Sequence, residues 1–287
     1  MPLNGYQKVC YRWFGHTAEN VANERLKQDL ERAHINMRAG AYISYVWMNT
    51  ILSFVVATFV FLTLFVFVAP PIFMIILFIA LPIFITFITY FLMMKYPAMR
   101  ARSRGKKIDM HLPYALNFIS AMSSAGITPT EIFKSLSKQR IYGEIREEAL
   151  WIYRDVGLLG RDIISAIKTN IKRTPSEKFK EFLQGAIVTV QSGGSLKPYF
   201  MSKAEQYARE NRIAQKQLIE SLGIMAETYV TAAVAGVLIV IIIIPLLMII
   251  TGFKTSDLYF MYFFIFLIIP LIHIGFSVVL YNMSEKV

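Results

Sequence analysis

Cysteine is almost missing from this 287-residue chain. Cys10 stands alone, so no internal disulfide can form and no Cys-ligated zinc or iron–sulfur framework can be built. The four histidines, His16, His34, His111 and His273, are too scattered to make a ligand motif. No GxxxxGK[ST] phosphate loop occurs, and Gly193-Gly194-Ser195 has no Lys where that loop needs one. Neither a G-x-S-x-G elbow nor an H-E-x-x-H helix is found. The expectation is a protein that is not an enzyme, holds no cofactor or metal, and takes any energy it uses from another chain. Acidic residues are the minority charge, 19 against 30 Lys and Arg, for a net charge of +11. No aromatic-interleaved basic groove or DNA-binding motif accompanies that excess, so nucleic acid is not an expected partner.

What the chain has in quantity is apolar surface, 55% of its residues, gathered into two blocks. Residues 45–94 divide at Ala69-Pro70-Pro71, where two prolines remove two backbone donors, into spans 45–69 and 72–94. Residues 230–281 divide at Thr251–Leu258, which holds a glycine and the block's few charges. Each block can cross a bilayer twice at about 20 residues per span. The fold class expected is all-α: a polytopic membrane protein with four transmembrane helices and a helical domain inserted between spans 2 and 3. The first apolar run starts some forty residues in, behind mixed charge, so no signal peptide is read.

Lys and Arg number six in residues 1–44, twenty-two in 95–229, one at Lys254 and one at Lys286. By the positive-inside rule residues 1–44, 95–229 and the tail 282–287 are cytoplasmic, with only the two short turns outside. The cluster Arg100, Arg102, Arg104, Lys106 and Lys107, directly after the second span, suits two readings: a topology determinant on anionic headgroups, or a partner-facing patch. Glu144 and Glu148, one turn apart, form a similar acidic candidate. Residues 17–38 space Ala22, Leu26, Leu30, Ala33 and Met37 as an amphipathic helix behind a Thr17 cap, which either docks on the domain or lies on the membrane.

Inside 95–229 an internal period emerges. Gly126, Gly160 and Gly194 lie 34 residues apart, and each follows an apolar stripe with the same offsets: Ala115, Phe118, Ile119, Met122, Ala125; Ala149, Ile152, Tyr153, Val156, Leu159; Leu183, Ala186, Ile187, Val190, Gly193. Those are helical faces, so the unit is helix, glycine turn, helix, three times over. Thr128 with Glu131 and Thr174 with Glu177 read as N-cap boxes around a proline. Six helices thus fill about residues 109–225, the last running from about Pro198 into the third span with Gly223 as its weak point. The period suggests tetratricopeptide repeats, but their Trp-x-x-Leu-Gly opening is missing, and a compact bundle is preferred. His273, the one ionisable group deep in a span, reads as a neutral packed side chain. Ala232, Ala233, Ala235 and Gly236 give the third span a small-residue face suited either to a dimer contact or to packing within the chain.

The runs LPYALNFISAMSSAGITPTEIFKSLSK, YGEIREEALWIYRDVGLLGRDIISAI and TPSEKFKEFLQGAIVTVQSGGSLKPYF resemble the type II secretion system F family, most of all its archaeal, TadC-like and archaellum-platform branch, over about residues 109–229. The resemblance implies a non-enzymatic platform in the cytoplasmic membrane with a six-helix cytoplasmic bundle. It further implies a separate hexameric secretion ATPase and pilin-like subunits as partners. Many such proteins carry two bundles where this sequence carries one, which implies a homodimer or a similar second half. A transporter subunit and a membrane adaptor without an ATPase are the competing readings.

Overall fold

The structure, a computed structural model, describes residues 5–68, 72–252 and 255–284. Pro70, Pro71, Lys254 and Lys286 lie outside these residues. Among the described residues all regular structure is helical: α1 Gly5–Val21, α2 Glu24–Arg32, α3 Ala39–Val68, α4 Ile72–Ser124, α5 Pro129–Lys138, α6 Glu144–Gly157, α7 Ile163–Arg173, α8 Glu177–Gln191, α9 Leu196–Tyr229, α10 Gly236–Thr251, α11 Thr255–Phe263 and α12 Ile269–Ser284. A short 3-10 turn precedes α6, and π-helical stretches cover Val230–Ala235 and Phe264–Ile268. Among the described residues four helical stretches are long and apolar enough to cross a bilayer, Ala39–Leu64, Ala80–Ser124, Leu196–Ile250 and Leu258–Tyr281. This is a multi-pass membrane protein.

The largest departure from the sequence reading is α4. A span ending at Met94 and a separate bundle helix from residue 109 were expected; the chain instead stays helical for 53 residues. Three prolines lie within it, at 82, 97 and 113. Pro97 has no N–H to offer the carbonyl four residues back, that of Met93, and a carbonyl left unpaired in a membrane interface is costly. The Tyr42 hydroxyl of α3 donates to that carbonyl at 2.6 Å, which removes the penalty and ties α3 to α4. A second tie, Ser53 to Thr89 at 3.2 Å, lies further along the pair.

Beyond Pro97, α4 presents a buried stripe of Ala101, Arg104, Ile108, Leu112, Ala115, Leu116 and Ile119. α5, α6 and α8 pack against it, and α7 joins α6 to α8. Ile132, Phe133, Leu136, Ile145, Ile152, Phe179, Phe182 and Leu183 complete a core whose members are 1% exposed or less, each contributing roughly 1.5–3 kcal/mol of burial. Tyr199 closes the start of α9 onto α8, stacking 5.9 Å from Phe182 and donating to the Phe182 carbonyl at 2.7 Å.

The turn glycines need one correction. Gly126 and Gly160 take left-handed φ of 81° and 64°, but in the third unit the left-handed residue is Gly193, at 76°, not Gly194. The reason is the bonding of the helix end. Ile127 N–H reaches back to the Met122 carbonyl, and Gly194 N–H reaches back to the Thr189 carbonyl, so Gly194 is the equivalent of Ile127 and Gly193 of Gly126. Gly194 is still constrained, since a Cβ there would sit 3.0 Å from the Thr189 carbonyl oxygen.

The cap boxes also differ. Thr128 precedes α5 with Pro129 at its first position, but its side chain makes no cap bond, and Glu131 instead accepts from Lys134 at 2.9 Å. Thr174 ends α7 rather than starting α8. Ser176 caps α8, its oxygen accepting from Phe179 N–H at 2.9 Å while its hydroxyl donates to Asp109 of α4, and Glu177 pairs with Lys180. Ser176 can serve both bonds because its single oxygen is donor and acceptor at once.

The N-terminal helix is likewise two helices. The break falls at Ala22 and Asn23, whose side chain accepts from Arg25 N–H, and Thr17 lies inside α1, bonded to the Phe14 carbonyl. α1 packs along α3, and α2 packs on α4 and α7. Ala18, Leu26, Leu30, Tyr42, Ile43 and Val46 form the small core beneath them.

The chain separates into two compact units, residues 1–204 and 205–287. In the second, the irregularity in the helix falls at the π-helical Val230–Ala235 and not at Gly223. Tyr229 sets its ring edge-on to His273, and the His273 ring nitrogen bonds its own helix at the Ile269 carbonyl, 2.8 Å away. Of the small-residue patch, Ala233 is 1% exposed and the stretch around it packs on α12, so Ala233 is used within the chain; Ala232 and Ala235 are exposed and Gly236 is half-buried.

Candidate functional site

Of the charges expected to face a partner, Arg100, Arg102, Lys106 and Lys107 are exposed, whereas Arg104 and Glu148 are not. Arg104 falls on the buried stripe of α4 and is 5% exposed; Glu148 falls on that of α6 and is wholly buried. The Arg104 guanidinium is fully used. Nε meets Glu144 Oε2 at 2.8 Å, Nη2 meets Glu148 Oε1 at 2.8 Å, and Nη1 donates to the Arg32 carbonyl at 2.5 Å. Glu148 Oε2 accepts from Asn170 Nδ2 at 3.1 Å. One cluster therefore joins the end of α2 to α4, α6 and α7. It also places a cation at the C-terminus of α2, where the helix dipole favours one. Arg104, Glu144 and Glu148 thus form an internal clamp, with Arg104 and Glu148 buried and Glu144 half-buried at its edge.

Next to the clamp α2 ends in an unusual way. Ile35 N–H reaches back to the Leu30 carbonyl at 2.9 Å, the pattern of a helix closed by a left-handed residue, and that residue is His34, φ 53°. Glycine would fit at no steric cost, so the imidazole is carried against a backbone penalty of about 1 kcal/mol. Its ring stacks on Trp151 at 4.2 Å, and Arg173 lies over the same indole with its Cζ 5.2 Å from the ring centre. Asp155, 7% exposed, is held between Arg161 at 3.6 Å and Arg173 at 3.5 Å. A cavity of about 430 Å³ opens here, lined in part by His34, Asn36, Trp151, Arg154 and Arg173.

None of His34, Asn36, Trp151, Asn170 or Arg173 was picked out from sequence. The available signal was positional: Glu148 and Asp155 interrupt the apolar stripe of α6, and Asn170 that of α7, as Arg104 does in α4. Among the described residues no group of three His, Cys, Asp or Glu is placed to hold a metal. The arrangement registers α2, α4, α6 and α7 against one another.

Burial, with the Arg104 guanidinium beside it, holds the His34 imidazole down at about 4. Burial pushes Glu148 above the usual carboxylate range, against the pull of Arg104 and Asn170. The two act oppositely on acid stability. The unfolded chain protonates His34 near 6.5, so His34 contributes stability above that pH which is lost as pH falls from 6.5 to about 4, whereas proton uptake by Glu148 favours the folded chain in acid. The expected result is that His34→Asn, which tolerates the left-handed turn, flattens the fall in melting temperature over that window. Parallel falls for variant and wild type would remove His34 as the cause.

Residues 115–244 match the family described as "Type II secretion system (T2SS), protein F". An uncharacterized protein of Methanocaldococcus jannaschii is 35% identical over 159 residues, covering 55% of this chain and 27% of its own length. Flagella accessory protein J of the same organism is 26% identical over 156 residues, covering 53% of this chain and 28% of its own length. A second uncharacterized protein from it is 28% identical over 135 residues, covering 46% of this chain and 40% of its own length. The chain thus aligns with well under half the length of these relatives. No solved structure matches it. The matched stretch takes in the last ten residues of α4, all of α5 to α9 and the start of α10, and over it the chain is similar to the type II secretion system protein F family.

Proposed function

We propose that the chain is a membrane platform subunit of a pilus- or archaellum-like assembly machine, coupling a separate hexameric secretion ATPase on the cytoplasmic side to insertion of pilin-like subunits. The observation that carries this reading is the family match over residues 115–244, with Flagella accessory protein J among the relatives. The helix α4 supports it, since one element contains both a span and the buried stripe of the bundle, as a force-bearing part requires. The full chain in detergent is expected to retain its cognate secretion ATPase on affinity resin, to hydrolyse no ATP alone, and to appear as a dimer, with itself or with a similar second half, in native mass spectrometry. No retention of the ATPase would remove the coupling reading. A strict monomer that nonetheless retains the ATPase would remove only the pairing.

Orientation follows from the charge count, with twenty-two Lys and Arg in residues 95–229. Ile141, 75% exposed beside α6, is the place to probe it. In intact cells a cysteine replacing Ile141 is expected to resist an impermeant maleimide and to react once the membrane is opened; labelling in intact cells would invert the topology.

A further inference from the structure

α1 runs antiparallel to the start of α3. Near its end Glu19 abuts Gly40, where an added Cβ would stand 2.7 Å from the Glu19 side chain; in the middle Phe14 meets Trp47 edge-on at 6.0 Å; at its start Tyr6 meets Tyr45 at 6.0 Å and its hydroxyl reaches Asn49 at 3.5 Å. The helix therefore climbs the first span by about nine residues, or roughly 14 Å. Protein covers α3 over this stretch: Ala41, Tyr42, Ile43 and Val46 are buried. The cover then stops. Ile51, Leu52, Val55, Val56 and Phe59 are 49–67% exposed and apolar, which is the lipid-facing surface of a span.

The outer face of α1 continues that surface. Tyr6, Val9 and Trp13, spaced three and four apart, make one exposed stripe at 44%, 47% and 74%. Exposed Lys8 and Arg12 flank it, no acidic residue occurs between Gly5 and Ala18, and the first one, Glu19, lies at the end away from the span and accepts from the Tyr11 hydroxyl. We infer that α1 enters the interfacial region of the same bilayer alongside α3, Val9 and Trp13 facing the acyl boundary and Lys8 and Arg12 meeting anionic lipid. Aromatic rings favour that depth and basic side chains reach from it to phosphate. The inference needs only that α3 crosses the bilayer, and it does not depend on the ATPase.

The full chain with Trp47→Phe and Trp151→Phe keeps Trp13 as its one tryptophan. In vesicles of phosphatidylcholine with a quarter phosphatidylglycerol, Trp13 emission is expected to fall about twofold when acyl chains are brominated near the headgroup, and less when they are brominated near the methyl end. Lys8→Glu with Arg12→Glu should reduce that quenching; no reduction would overturn the role given to those two residues. Trp13 untouched by brominated lipid but quenched by aqueous iodide would overturn the inference, as would a crosslinked second copy or other protein on this face without lipid quenching. Should the tryptophan replacements unfold the chain, a spin label at Val9→Cys in a Cys10→Ala background gives the same reading: more accessible to oxygen than to an aqueous nickel complex if α1 lies in the interface, the reverse if it does not.

Discussion

Replacing Arg104 with alanine is expected to cost about 3–5 kcal/mol of stability, because it strands a carboxylate where water cannot reach it. Glu144 is 29% exposed and would be rehydrated, but Glu148 is wholly buried and would keep only the bond from Asn170 and the His34 ring 4.0 Å away. Arg104→Ala also opens the end of α2, whose Arg32 carbonyl is held by the same guanidinium. The pair itself need not be stabilising relative to an apolar pair of similar volume. Arg104→Met combined with Glu148→Leu is therefore expected to recover most of the loss, and Arg104→Met alone is not. Denaturant unfolding of the detergent-solubilised chain reads all three variants. An Arg104→Ala protein as stable as the parent would show that the cluster clamps nothing.

Gly105→Ala should be the second most damaging of the changes considered. The added methyl would stand 2.8 Å from the Pro175 carbonyl oxygen and 3.3 Å from its carbon. Those are backbone atoms between α7 and α8, anchored by the Ser176 bonds, so they cannot swing aside as a side-chain tip would. Overpacking of this kind costs roughly 1–3 kcal/mol, and here it also prises α4 from the turn that Ser176 and Asp109 join. Gly223 offers the comparison. It too is helical, but a Cβ there meets nothing within 4 Å, so Gly223→Ala should be neutral or gain up to about 1 kcal/mol from helix propensity. Equal melting shifts for the two variants would mean that close approach at Gly105 is not what matters.

Much of the helical layout could be read from periodicity, because an apolar stripe at helical spacing has few other uses. Ala115, Ile119, Ala149, Ile152, Leu183 and Ala186 are all buried as such a stripe requires. What escaped was governed by contacts between distant residues. Gly193 and Gly194 satisfy local chemistry equally, and only the bond from Gly194 to Thr189 decides which is left-handed. Thr174 and Ser176 are both good caps, and the choice rests on Asp109, 67 residues earlier. The span expected to end at Met94 continues through Pro97 because Tyr42, 51 positions before Met93, supplies the donor that the Met93 carbonyl lacks. Arg104, Glu144 and Glu148 look like surface charges one by one. Only their register with the buried Ala101, Ile108, Ile145 and Ile152 marks Arg104 and Glu148 as interior.

The unbroken course of α4 turns residue count into angle. Each residue between the Tyr42 contact at Met93 and the clamp at Arg104 advances the helix by about 100° and 1.5 Å, so the lipid-facing side of the span and the stripe that carries Arg104 are locked in azimuth by an interval of eleven residues, close to three whole turns. A single inserted residue would swing the guanidinium a quarter-turn away from Glu148 without altering any side chain. This part of the chain can change freely in composition on its exposed face, yet in length it can change only by steps near seven or eleven that restore the phase.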